Sequence, residues 1–457
     1  MELKLKIYFL AIISLMMVML TACEKLVEVD TPANQLNSGN IYKDSVTAQS
    51  AVFGMYSKMY NGPGLGDSFY ATHVNLLPGR SADELRNTLI SDDSFIENGL
   101  VPGNTEVAAI WATIYNSIYN ANAVIEGLTG ASISNSLKQQ LMGEAKFVRA
   151  FNHFYLVNYF GDIPLILTND LRVTSKMSRT PKAEVYAQII TDLKDAKAAL
   201  PPDYSRSPAD RSRVNKWAAG AMLARVYLYT QNWSFAEQEA GEVIGKSGLY
   251  NLPALGQVFL KPSKETIWHF PSNVRGFTHI ANEFIGNSHS LTTSQIAAFE
   301  RDPARPEYED DRFTAWIRVA NSISYPAKYK SRTNDNTEND VIMRLAEQYL
   351  IRAEARINLN KLDGAREDIN AVRTRAGLIN TPAANTTTAL MTAVEHERQV
   401  ELFAEWGHRW LDLKRWGRAD AVLGPLKGNG WQATDILYPI PALERTNNPN
   451  LIQNDGY

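Results

Sequence analysis

One cysteine, Cys23, serves all 457 residues, so no intramolecular disulfide can form and stability must come from packing. Charge of one sign is lacking as well. Lys and Arg number 46 against 49 Asp and Glu, a formal −3, and the signs are mixed along the chain without a basic patch, which argues against nucleic acid as a partner. The seven histidines include no i, i+4 pair and no HExxH or Cys/His pattern, so no metal or other cofactor is expected. The acidic runs 307–311 and 334–340 lack the EF-hand spacing and read as solvated loops. Gly245-Lys246-Ser247 fails as a phosphate loop because Ala240 stands where the first glycine belongs, and Gly286-Asn287-Ser288-His289 lacks the second glycine of a nucleophile elbow. No Gly/Ser- or Pro-rich linker divides the chain, so one large body over 41–457 is expected.

What is present begins with Lys4 and Lys6, followed by 14 mostly apolar residues from Ile7 to Leu20. That length suits a signal peptide and falls short of the ~20 residues of a spanning helix. Leu20-Thr21-Ala22-Cys23 resembles the lipobox of bacterial lipoproteins, which makes Cys23 the expected attachment point for acyl chains such as palmitate. Residues 1–22 would be removed, and with Glu2, Lys4 and Lys6 gone the formal charge becomes −4. Two or three acyl chains suffice for stable anchoring. Residues 23–40 are polar and read as a tether between lipid and folded body.

Beyond the tether, Val52, Met55, Tyr56, Met59 and Tyr60 share one helical face, and Gly62-Pro63-Gly64 ends that helix. Thr105–Leu128, Ser136–Tyr159 and Thr180–Leu200 also carry helical spacing, the last with Thr180 as N-cap and Pro181 at the first helical position. An offset of 129 residues superposes Ala224 on Ala353, Ala236 on Ala365 and Val243 on Val372. The two copies, 217–244 and 341–375, read as degenerate helix pairs of the tetratricopeptide type, broken near 231–232 and 360–361. The expected fold is therefore all-α, with long irregular insertions at about 62–104 and 252–340. The second insertion is rich in aromatic residues.

Glu395 to Trp416 is the densest block of charge and tryptophan, and its spacing is helical. Phe403, Trp406, Trp410 and Leu413 fall on one face, with Glu397, Glu401, Glu405 and Arg409 at i, i+4 beside them. Carboxylates so regularly spaced among arginines are expected to form a structural ion-pair network rather than a general acid and base.

This block resembles the SusD/RagB family of surface lipoproteins (the starch-utilisation-system type), and the resemblance extends over nearly the whole chain. In order, it is carried by the lipobox, Trp111 with Tyr115 and Asn122, Arg149-Ala150, and Asp162-Ile163-Pro164. Asp311-Arg312-Phe313, Arg344 to Glu347, Ala353-Glu354-Ala355 and Asn370 to Gly377 follow. The set closes with Pro439-Ile440-Pro441, Asn448-Pro449, Gln453-Asn454 and Gly456-Tyr457. The resemblance implies a tetratricopeptide-like helical fold on the outer-membrane surface, binding of glycan nutrients without catalysis, and a SusC-like TonB-dependent transporter as partner.

The ligand is expected at the two insertions, because sugar faces pack on aromatic rings while hydroxyls need Asp, Asn or Arg. Candidates are Tyr70, Arg80, Asp83, Arg86, Phe95 and Asn98 from the first, and Phe277, Phe284, Trp316 and Tyr325 from the second. Asp83-Glu84 also matches a short acidic motif of the family. The alternatives are a surface glycoside hydrolase, which needs two carboxylates flanking a cleft, and a helical scaffold that binds peptides, other nutrients or protein partners only.

Overall fold

The computed structural model describes residues 42–61, 69–205, 210–272, 276–302, 309–378 and 384–457, with part of the first eight. Cys23, the tether, most of the leader and the Gly62-Pro63-Gly64 turn lie outside the described residues. Helix α1 (Ser45–Asn61) buries Val52, Met55, Tyr56, Met59 and Tyr60 as their spacing dictates. The first insertion departs from the sequence expectation. It contains a buried helix, α2 (Val74–Ser81), whose eight residues are all covered.

Helices α3 (Thr105–Thr129) and α4 (Asn135–Phe160) begin at side-chain caps: Asn104 Oδ1 accepts from Val107 N at 2.9 Å and Ser134 Oγ from Leu137 N at 3.4 Å. From Phe147 to Phe160 every residue of α4 is buried, so it forms the axis of the largest apolar cluster. Helix α5 (Lys182–Ala199) starts one residue later than expected. Pro181 is its N-cap, while Thr180 forms a β-bridge to Ile163, so the threonine's backbone is committed elsewhere.

The internal repeat is real in three dimensions. Helices α6 (Lys216–Tyr229) and α7 (Trp233–Ile244) return, after the second insertion with its short helix α8 (His279–Ile285), as α9 (Leu345–Asn358) and α10 (Leu362–Arg375). Ala224, Ala353, Ala236, Ala365, Val243 and Val372 are all fully buried, and small residues there let the paired backbones approach. Helix α7 packs on α9, which joins the pairs into one stack.

Both hairpins turn the same way. Gln231 (φ 55°) and Asn360 (φ 58°) take the left-handed conformation. Asn232 N bonds Tyr227 O, and Lys361 N bonds Arg356 O, each at 2.8 Å, the 6→1 bond of a Schellman turn. A side chain at this φ costs about 1 kcal/mol that glycine avoids. Gln231→Gly is therefore expected to raise stability by roughly 0.5–1 kcal/mol, seen as a higher melting temperature; a lower one would show that the Gln231 side chain holds the turn.

Strands are short and form three two-stranded ladders among the described residues. They are β1 (Leu85–Asn87) with β3 (His289–Leu291), β2 (Thr266–Phe270) with β6 (Asp340–Arg344), and β4 (Ile317–Ala320) with β5 (Ile323–Pro326). A second apolar cluster lies under the second insertion, built from Phe259, Phe284, Phe299, Trp316, Tyr329 and Phe403 among others.

The C-terminal block is two helices, where one was expected. Helix α11 (Thr387–Glu401) ends and α12 (His408–Arg415) begins across a tight break, in which Ala404, Trp406 and Gly407 all have positive φ. A Cβ on Gly407 would approach Pro78 Cγ to 2.7 Å, and Asn75 Oδ1 accepts the Trp406 N–H at 2.6 Å. Close packing against α2 thus forces the chain out of the helical path that its spacing suggests. Helix α13 (Ala419–Lys427) follows.

Candidate functional site

Despite that break, Glu397, Glu401 and Glu405 converge on one buried ion-pair network. Arg312 reaches Asp310, Glu397 Oε2 at 2.9 Å and Glu401 Oε2 at 3.1 Å. Arg344 bonds Glu265 at 2.7 Å and Glu405 at 2.7 Å as well as Glu401, while Arg375 spans Glu265 and Glu401. Burial alone would push the Glu397 carboxyl up, but Arg312, His396 and Arg373 outweigh it and hold it down at about 2. Glu401 is held well below the usual range for the same reason, by Arg375, Arg344 and Arg312. Permanently ionised, paired and shielded from water, these carboxylates have no proton to give and no substrate to meet. Arg409 leaves the expected stripe and pairs with Asp83 at 2.7 and 2.8 Å.

Glu300, His396 and Glu397 place their ligand atoms within 4.8 Å of one another. Arg373 Nη1 bonds both Glu300 and Glu397, so a guanidinium already satisfies the charge that a cation would bring.

Eight of the ten proposed ligand contacts are buried, which corrects the sequence reading. Tyr70 bonds Asn152 and packs on Phe270. Arg80 pairs with Asp93 at 2.6 Å and covers the Phe95 ring. Asp83 holds Arg409, and Asn98 bonds Ser81 O and Lys427. Glu84, beside Asp83, is pushed up to about 8 by burial, which the Ala404 amide and Lys328 offset only in part. Phe284 belongs to the second apolar cluster. Trp316, fully buried, donates its indole N–H to Leu255 O at 3.1 Å and lies over Lys328, Arg344 and Arg375, so it roofs the ion network. Tyr325 lies beneath Arg318. The physical reason is that large rings and charged groups in these long insertions are used to pack them, Tyr70 and Phe95 into the largest apolar cluster and Phe284 and Trp316 into the second. Arg86 is exposed and Phe277 half-buried.

The ten are nevertheless drawn from segments that meet. Strand β1 pairs with β3, setting Arg86 opposite Ser290 and Asn87 opposite His289 across some two hundred residues of sequence. Thr88 N bonds Ser288 O at 2.9 Å and its hydroxyl bonds Asn287 O. From β4, Arg318 Nη2 donates to Phe284 O at 3.2 Å and to Asn287 Oδ1. The β4–β5 turn, with Asn321 and Ser322 at positive φ, exposes Val319 and Ile323, and Leu89 and Ile90 are exposed just past β1. The result is a surface of guanidinium, amide and aliphatic groups. Arg318 and Asn287 were missed from sequence, where nothing distinguishes them from ordinary loop residues.

A groove of about 590 Å³ elsewhere is lined by Asp162, Arg179, Thr434 and Asn454. Its arginine and asparagine are spent on the C-terminal strap: Arg179 Nη1 bonds Ile452 O at 2.8 Å, and Asn454 Nδ2 bonds Phe160 O at 3.0 Å and Tyr438 O at 2.8 Å.

With this geometry in place, comparison with known proteins decides the family. A family described as "Starch-binding associating with outer membrane" matches residues 82–228, and the SusD family matches residues 266–457. The chain belongs to the SusD/RagB family. Among curated relatives, SusD-like protein P25 of Formosa agariphila is 26% identical, with 95% of this chain and 96% of that one covered. Starch-binding protein SusD of Bacteroides thetaiotaomicron is 24% identical, covering 78% and 79%. The SusD fold is equally plain in solved structures. A SusD superfamily protein from Bacteroides vulgatus superposes with a TM-score of 0.79 at 22% identity, over 91% of this chain and 100% of that one. A laminarin-binding SusD-like protein gives 0.75 at 22% identity over the same shares. The family motifs Arg149, Arg344 and Arg375 are spent on buried ion pairs, so they specify the SusD scaffold and leave the ligand to other residues. Among the described residues no helix is long and apolar enough to cross a membrane.

Proposed function

We propose that this SusD-family chain is a glycan-capture lipoprotein of the outer-membrane surface, anchored by acyl chains on Cys23, that passes oligosaccharide to a TonB-dependent transporter. The observation that carries the reading is the junction of the two insertions: hydrogen-bonding groups reach solvent at Arg86 on β1, Asn287 in the turn before β3 and Arg318 on β4, while the densest carboxylates of the chain are buried and paired. The names of the family and of a laminarin-binding neighbour support glycan as the ligand class. Arg86 and Phe277 remain proposed contacts, joined by Asn287 and Arg318. The eight buried candidates act in this reading as the support beneath the surface.

The full chain, purified in detergent, is expected to be retarded in native gels containing polysaccharide, with no release of shorter sugars from the same samples. Phe277→Ala is expected to weaken that retardation about tenfold without moving the melting temperature, since loss of one stacked ring costs ~1 kcal/mol or more. Release of sugar would favour a hydrolase, and absence of retardation on every polymer would end the glycan reading.

A further inference from the structure

We infer that the glycan held at the β1–β3–β4 surface is anionic, bearing carboxylate or sulfate groups; this rests on the glycan reading above and narrows it. Most arginines of the chain are spent on carboxylates, as Arg80, Arg149, Arg225 and Arg344 show. At this surface three are not. The side chains of Arg86 and Arg332 are exposed and make no hydrogen bond or ion pair with a described residue. Arg318 donates only to neutral oxygens, Phe284 O and Asn287 Oδ1, and stacks 4.7 Å from the Tyr325 ring centre.

All three gather around one short segment, Gly286 to Ser290. Arg318 is bonded to Asn287, Arg332 Nη1 would lie 3.6 Å from a Cβ on Gly286, and Arg86 faces Ser290 across the ladder. Glu283 makes no ion pair with any of the three among the described residues: its Oε2 accepts from Ser288 Oγ at 2.8 Å and its Oε1 from Asn282, and its single charge leaves the three guanidinium groups in excess. Three guanidinium groups gathered beside one carboxylate carry excess positive charge, and an oxyanion offsets that excess while taking paired N–H donors in a planar fork. A neutral glucan would find one half-buried ring here, Phe277. The rings of Phe284, Trp316 and Tyr325 are buried beneath the surface and offer no open face for a sugar ring.

The test compares polygalacturonate and dextran sulfate with the neutral polymers laminarin and starch, on the full chain in detergent. The acidic polymers are expected to bind more tightly, and their binding to weaken about tenfold or more as salt rises from ~0.1 to ~1 M and the screening length falls from ~10 to ~3 Å. The double variant Arg86→Gln/Arg332→Gln, which breaks no side-chain hydrogen bond or ion pair among the described residues, is expected to lose about tenfold in affinity for them. Lys138→Gln/Lys194→Gln, which removes the same charge from α4 and α5, is expected to change nothing. A preference between the two acidic polymers names the anionic group. Salt-insensitive binding of the neutral polymers, unaltered by the arginine variant, would overturn this inference and leave glycan capture standing. An equal loss in the lysine variant would also overturn it, by showing diffuse attraction. Binding of no polymer at all would overturn the capture reading itself, and this inference with it.

Discussion

Glu401→Ala is expected to destabilise the protein by ~3–5 kcal/mol, because it strips a fully buried carboxylate from three guanidinium groups at once. Arg312 would keep Asp310 and Glu397, and Arg344 would keep Glu265 and Glu405, but Arg375 would retain Glu265 alone. Neighbours that compensated each other would then be buried with an excess of positive charge. The same network sets an acid limit. Glu397 ionises near 2 in the folded chain and near 4.3 when unfolded. Its contribution is therefore complete above the unfolded value and is lost as pH falls through about 2, since the unfolded chain takes up its proton first. Denaturant unfolding of Glu401→Ala at neutral pH checks the magnitude. A variant of full stability that no longer bound glycan would move Glu401 from the scaffold to the ligand site.

Trp316→Ala is expected to act on stability rather than on recognition, by ~3–5 kcal/mol. The indole is fully buried, packs on Phe259 and Phe403, and lies over Lys328, Arg344 and Arg375. Truncation would open a cavity above the ion network and admit water to charges whose pairing depends on its exclusion. Molecules that still fold are expected to bind glycan with unchanged affinity, measured against the active fraction. A stable Trp316→Ala protein with lost affinity would restore Trp316 to the ligand-contact role that its loop position suggests.

How far the sequence could be read depends on the range of the interaction concerned. Helical spacing is local, so α1, α3 and α4 fall where Val52, Trp111 and Phe147 place them, and the offset of 129 residues recovers both hairpins because each repeats its own local turn. The αL residues Gln231 and Asn360 stand at matching positions for the same reason. The break at 402–407 was hidden, since Glu401, Glu405 and Arg409 keep perfect helical spacing while Asn75 and Pro78, far away in sequence, impose the kink. Rings in a long insertion carry no mark that separates a sugar platform from a core residue, so Trp316 and Phe284 read as contacts and lie buried in the second apolar cluster. The β1–β3 pairing had no signal at all: three-residue strands two hundred positions apart give no periodicity to find.

The central claim, that ligand is held where the two insertions meet, is tested most directly by hydrogen–deuterium exchange on the full chain in detergent, with and without the polysaccharide that retards it. Slowed exchange is predicted at 85–92, 279–291 and 317–326 together. Protection confined instead to the groove around Arg179, Thr434 and Asn454, with those three segments unchanged, would contradict the account.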